Sequence, residues 1–159
     1  MTEQVKKATL AGLIGAVAAT ALIASVKQWE GLETRPYRDV VGVWTVCWGD
    51  TRDVVPGRAE TREQCEARLE WQLIEHTKPV LACVPQLKGH DYQLAASASL
   101  AYNIGPRAFC NSTAAKRFRA GDWRGGCDAF MAWRFAKGRE IRGLTNRRKA
   151  ERAICLRGL

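Results

Sequence analysis

Three residues of types used in acid–base chemistry, Glu30, Asp39 and Thr45, follow one another as E-x8-D-x5-T. Glycosidic cleavage needs a carboxylic acid to protonate the leaving oxygen and a second carboxylate to manage water or the positive charge that builds on the sugar. Glu30 closes an apolar helical run and Asp39 lies beyond a turn containing Pro36. The two carboxyls can therefore face each other across a cleft, which two positions on one helix face cannot. Ten Glu, six Asp and ten Thr in 159 residues give this spacing by chance roughly 0.02 times per chain, counted as matches to a template.

Other segments extend the pattern in order: Tyr102-Asn103-Ile104-Gly105, Asn111-Ser112-Thr113 before a basic helix, Gly121-Asp122, Trp133, and Gly143-Leu144-Thr145-Asn146-Arg147-Arg148. With E-x8-D-x5-T they resemble the T-even phage lysozyme family, glycoside hydrolase family 24, whose members are phage endolysins, over most of residues 27–159. The resemblance implies a muramidase cutting the β-1,4 bonds between N-acetylmuramic acid and N-acetylglucosamine in bacterial peptidoglycan. It makes Glu30 the general acid, has Asp39 position or activate the water, and lets Thr45 help hold that water. It sets Arg147 against Glu30 as an orienting group and offers Asn103, Trp133 and Asn146 as substrate-binding residues. An inverting outcome would place the carboxyls on the order of 6.5–9.5 Å apart. Two positions depart from the family pattern: Cys47 stands where a glycine is usual and Asp50 where a histidine is common.

The elements that must hold these residues are partly legible. Residues 27–35 continue a helical pattern up to Pro36, before which helix is disfavoured. Tyr37–Thr51, rich in Val, Trp and Thr with Gly42 and Gly49, reads as a small hairpin. Thr61-Arg62-Glu63-Gln64 is a capping box opening a helix of about sixteen residues. Segments 91–102, 113–119, 122–135 and 145–155 carry apolar residues at helical spacing with Gly or Pro between them. The fold class is α+β, mainly α: a small β-hairpin lobe and a helical lobe, lysozyme-like by resemblance, preceded by an apolar helix.

That first helix divides the chain into residues 1–26 and a lysozyme domain of residues 27–159. Ala8–Val26 are nineteen residues without a charge, flanked by Lys6 and Lys7 and by Lys27. As one helix they are roughly 28 Å long, just enough to span a bilayer. Seven Ala, two Gly, two Thr and one Ser dilute seven strongly apolar residues, which contribute only about −2 to −4 kcal/mol to insertion. A cleaved signal with its site at Ala19-Thr20-Ala21, a buried core helix, and a weak uncleaved signal anchor all fit. The anchor is favoured because Glu30 follows so closely, as in signal-anchor-release endolysins. The resemblance then implies an enzyme tethered to the host cytoplasmic membrane through residues 8–26, facing the periplasm and inactive. It becomes soluble there once a holin or pinholin depolarises the membrane.

Outside the cytoplasm disulfides are permitted. The six cysteines have fifteen possible pairings; the proximity of the hairpin to the Thr61 helix favours Cys47–Cys65. Joining the last two long helices favours Cys127–Cys155, which leaves Cys83–Cys110. In a cytosolic setting the same six would be free thiols. No C-x-x-C pair suggests a metal, and no cofactor is implied.

Twenty-five Lys and Arg against 16 Asp and Glu give a net charge of +9, a field that attracts polyanions without naming one. Nucleic acid has that charge in its favour but no motif, so it is not expected as a partner. Two readings compete with the muramidase. A lytic transglycosylase needs the acid but not the water-handling Asp39 and Thr45. A non-enzymatic cationic envelope-disrupting protein needs only the charge and the basic helix bearing Lys116, Arg117 and Arg119.

Overall fold

The structure is a computed structural model describing residues 8–159; Lys6 and Lys7, the leading flank of the apolar run, lie outside the described residues. The run itself is not one helix. Leu10–Ile14 (α1) and Ala16–Glu30 (α2) are separated at Gly15, whose φ of 87° and ψ of 159° suit only glycine. Leu10, Ile14, Ala18, Leu22 and Val26 recur every four residues and are all buried, so the two helices turn one face into the protein core. Leu13 and Ile23 pack at its edge, and Val17 is half-exposed. Among the described residues no helix is long and apolar enough to cross a membrane.

The helical pattern expected over 27–35 stops at Glu30. Gly31, at φ 67°, ends α2, and Glu33–Arg38 form strand β1. Pro36 is tolerated there because β1 pairs only with β2 (Trp44–Cys47), leaving its other edge open. From the Thr61 capping box, α3 runs over Arg62–Cys83, 22 residues, longer than its pattern suggests and straight through Pro79. Packing on the next two helices and a disulfide at Cys83 hold the turn that the proline weakens.

Asp91–Ile104 (α4) is the centre of the helical lobe. Every residue from Gln93 to Ala101 is buried, and most are Ala or Ser, so α2 and α3 can approach its backbone closely. Pro106–Cys110 (α5), Thr113–Arg119 (α6) and Trp123–Asp128 (α7) follow. The stretch 122–135, read as one helix, instead passes into a 3₁₀ turn over Ala129–Arg134 that opens at Trp133. Gly126 explains the weakness: a Cβ there would lie 2.3 Å from the Phe118 ring, so packing demands a glycine where helix propensity would not. Phe135–Ala136 (β3) and Arg139–Glu140 (β4) form a second small hairpin, turned at Lys137 and Gly138 with φ of 51° and 75°. Arg142–Cys155 (α8) packs on α4 and ends the fold.

Disulfides join Cys47 to Cys65, Cys83 to Cys110 and Cys127 to Cys155. The first ties the hairpin to α3, the second fastens α3 to α5, and the third links α7 to α8. Together with α4 they make a mainly helical α+β fold with a hairpin lobe beside a helical lobe.

Candidate active site

Glu30 is the last residue of α2 and sits where the two lobes meet. Its Oε1 accepts a hydrogen bond from Arg147 Nη1 of α8 at 2.8 Å. Its Oε2 lies against Gly49, where an added Cβ would come within 3.1 Å. A glycine is needed at 49 both for that approach and for a φ of 79°.

The hairpin supplies the second carboxylate. Asp39 begins its turn: Gly42 N–H donates to Asp39 O at 2.9 Å, while Asp39 Oδ1 accepts from Val41 N–H at 3.0 Å and Val43 N–H at 2.9 Å. These bonds are internal to the turn and fix the carboxyl's direction. Tyr37 pairs directly opposite Thr45, and the two-residue period of a strand brings Tyr37, Asp39 and Thr45 to one face. Thr45 is buried and its hydroxyl donates to Val43 O at 3.0 Å, which leaves the oxygen's lone pairs as acceptors. Tyr37 reports on the assembly: burial, followed by the negative charges of Glu33, Glu30 and Asp39, pushes its phenol above the ordinary value. Both candidate carboxylates therefore lie within electrostatic reach of one side chain.

Behind Glu30 is a buried charge network that sequence reasoning missed. Arg147, 5% exposed, also donates through Nε to Glu151 Oε1 at 3.2 Å. Arg148 and Glu151 are completely buried. Glu151 Oε1 accepts two further bonds, from Arg148 Nη2 at 3.1 Å and Ser99 Oγ at 2.9 Å. Arg148 Nε lies 2.7 Å from Glu151 Oε2 as an ion pair. Burial lowers the Arg148 pKa, with the charge of Glu151 opposing the shift. Ser25 Oγ of α2 stands 2.9 Å from Ser99 Oγ, which connects the first helices to the same chain of bonds. The available signal was helical spacing, since Glu151 is four residues after Arg147 and three after Arg148.

Of the three candidate substrate residues, Asn103 and Trp133 meet at Arg148 and Asn146 lies apart from them. Asn103 Oδ1 and the Trp133 carbonyl both accept from Arg148 Nη1, at 2.9 and 3.3 Å. The Trp133 ring lines a cavity of about 290 Å³ with Asn111, Ser112 and Thr113. Asn146 is exposed on the side of α8 away from Glu151, lining a polar hollow with Glu140, Arg142, Thr145 and Lys149.

The two departures at Cys47 and Asp50 do the same mechanical task. Cys47 has φ 62°, a left-handed conformation that favours glycine, and its disulfide to α3 holds it there. Asp50, 1% exposed, accepts from Arg68 Nη1 of α3 at 3.0 Å. Arg68 reaches Glu60 as well, at 2.9 Å. Nearby, the Tyr102 hydroxyl lies 2.7 Å from Trp48 O and 2.9 Å from Gln72 Oε1. Its single proton serves one of them at a time. Burial first, then the charges of Glu30 and Asp50, raise the Tyr102 pKa far above the usual tyrosine value, against the opposing charge of Arg147. Among the described residues no group of three or more His, Cys, Asp and Glu is placed to hold a metal.

A mainly helical fold with a small hairpin lobe, and carboxylates on both sides of the seam between the lobes, define the class, a lysozyme-type glycoside hydrolase. The phage lysozyme family profile matches residues 27–151, and the chain belongs to that family. A SAR-endolysin of Enterobacteria phage P21 is 35% identical over 164 aligned positions, covering 99% of each chain. The crystal structure of the active form of P1 phage endolysin Lyz matches with a TM-score of 0.81 at 26% identity, over 90% of this chain and 86% of that one. The secreted inactive form of the same endolysin matches at 0.51 and 24% identity, over 67% and 76%.

Proposed function

We propose that the chain is an endolysin muramidase of glycoside hydrolase family 24 that hydrolyses peptidoglycan, with Glu30 as general acid. Asp39 orients or activates the attacking water, Thr45 Oγ1 accepts a hydrogen bond from that water, and Arg147 orients Glu30. The observation that carries the reading is the position of Glu30 at the seam, held by Arg147 and facing the hairpin that bears Asp39 and Thr45. Asp39 has a role here that a lytic transglycosylase would not require. The test is hydrolysis of purified wall by wild type and Glu30→Gln. The substitution removes the acid and should lower activity by at least about a hundredfold. Full lytic activity in Glu30→Gln would favour the cationic, non-enzymatic reading, and anhydro-sugar products in place of new reducing ends would favour the transglycosylase.

The same reading gives residues 8–26 two environments. Spanning a bilayer, they gain about 2–4 kcal/mol from insertion. In the fold, Leu10, Ile14, Leu22 and Val26 are buried, which at about 1.5–3 kcal/mol for each side chain amounts to about 6–12 kcal/mol. Insertion is weak and the core offers the same side chains full burial, so a segment freed from the membrane is drawn into α1 and α2. In the tethered state the segment is absent from the core and Glu30 is not set against Arg147, which holds activity back. A chain of residues 27–159 alone should be inactive on wall; full activity in that piece would reduce residues 8–26 to an anchor.

A further inference from the structure

The tip of the first hairpin has the expected Asp39 and Gly42 at its ends, but the positions between and after them hold Val40, Val41 and Val43, with relative exposures of 104%, 77% and 43%. Scattered exposed apolar residues need no explanation, but three together on one protruding turn do. Nothing in the turn uses their side chains, because its bonds run through the Asp39 carboxyl and the backbone. Val40 is open to solvent on every side, so the tip is convex. A shaped ligand or a peptide needs a concave, hydrogen-bonding surround, whereas a fluid hydrocarbon phase accepts a bulge.

The residues beside the tip point to the same partner. Arg35 and Arg38 are exposed, and neither has a carboxylate within ion-pair distance among the described residues. The Arg38 guanidinium lies 5.1 Å from the Trp44 ring centroid, and Tyr37 is half-exposed. Apolar residues at the extremity, aromatic rings behind them and free cations alongside follow the order of a bilayer from hydrocarbon to phosphate. We propose that this tip, Val40, Val41 and Val43 flanked by Arg35 and Arg38, is a contact surface for an anionic lipid bilayer. It is separate from residues 8–26 and available in the folded enzyme. Because Asp39 begins the turn, a docked tip holds it at the lipid surface, and bilayer contact competes with wall hydrolysis. That consequence, though not the contact itself, rests on the catalytic reading of Asp39.

The test is co-sedimentation of the full chain with vesicles of phosphatidylcholine alone or of phosphatidylcholine and phosphatidylglycerol in equal amounts. Residues 8–26 are common to all variants, so differences between them report on the tip. Val40→Ser should weaken partition onto the anionic vesicles about tenfold, and Arg35→Gln about fivefold, with less effect at high salt. Val40→Trp should strengthen it, and the fluorescence added by its indole should shift to the blue on binding. Equal partition of all four proteins overturns the proposal. So does a loss on Arg35→Gln that is the same with neutral vesicles, or an unchanged lipid partition accompanied by weaker retention on purified wall, which would assign the tip to a wall polymer. Because lipid partition is measured without turnover, failure of the catalytic assignment leaves this test intact.

Discussion

Glu151→Gln tests whether the buried charge network holds the acid. Glu151 is completely buried, and its Oε1 takes three donors, from Ser99, Arg147 and Arg148. Two buried guanidinium groups, Arg147 and Arg148, share the completely buried carboxylate of Glu151. An amide at 151 keeps the shape but leaves one cation unmatched. Removing one partner of a buried pair costs about 3–5 kcal/mol, which for a chain of this size lowers the melting temperature by about 6–20 °C. The second effect is chemical. An uncharged amide oxygen holds Arg147 Nε less strongly than the carboxylate does, so Arg147 is less firmly set against Glu30, and kcat on solubilised glycan should drop about tenfold while KM holds, in contrast to a purely structural loss. Calorimetry and initial-rate kinetics below the variant's melting temperature separate the two. The double variant Arg148→Met/Glu151→Leu, which removes a charge of each sign, should recover stability but not kcat. A Glu151→Gln protein that melts within about 2 °C of wild type and keeps its kcat would refute the reasoning.

Further outcomes follow from single contacts. Opening the Cys47–Cys65 bond, which closes a loop with a sequence separation of 18, should cost about 3 kcal/mol in urea unfolding. Cys47→Gly/Cys65→Ala should be about 1 kcal/mol more stable than Cys47→Ala/Cys65→Ala, because position 47 has φ 62°; equal values would mean that the left-handed backbone carries no strain. Tyr102 has a folded pKa above its ordinary value of 10.0, so its contribution is intact below pH 10 and declines as pH rises above it, where the unfolded chain loses the proton first. The slope contributed by this group is at most about 1.4 kcal/mol per pH unit. Tyr102→Phe should flatten the alkaline limb of the stability curve, and an unchanged limb would assign it to other groups.

How much of this was legible depends on how local each cause is. Glu30, Asp39 and Thr45 lie within sixteen residues, and a helix end plus a hairpin places them, so spacing alone was informative. The bond between Arg147 and Glu30 spans 117 positions and left no pattern; only resemblance pointed to it. The first helices were misjudged as one continuous rod because the segment is uncharged all round. Leu10, Ile14, Ala18, Leu22 and Val26 mark a core face, but alanines opposite them are apolar too, and the contrast that defines an amphipathic helix is missing. Helix propensity failed where tertiary contacts decided: Gly126 is set by the Phe118 ring, and Pro79 is carried inside α3 by the packing around it.

The uncharged first segment also explains where the charge of the enzyme has to be. A helix that serves both a bilayer and a protein core cannot carry charge on either face. The outer side of α2, with Ala16, Val17, Thr20, Ala21 and Ala24, accordingly forms a weakly apolar hollow bordered by Tyr92 and Arg157. Solubility and electrostatic reach must then come from elsewhere. Residues 105–159 hold fourteen Lys and Arg against four Asp and Glu, while residues 8–104 hold nine against eleven. Two of the fourteen, Arg147 and Arg148, are held inside by Glu30 and Glu151, and most of the others face water. Excess cations outside the first segment keep the folded chain soluble and draw it to polyanions without adding a charge to the one segment that, in the proposed mechanism, has to cross hydrocarbon.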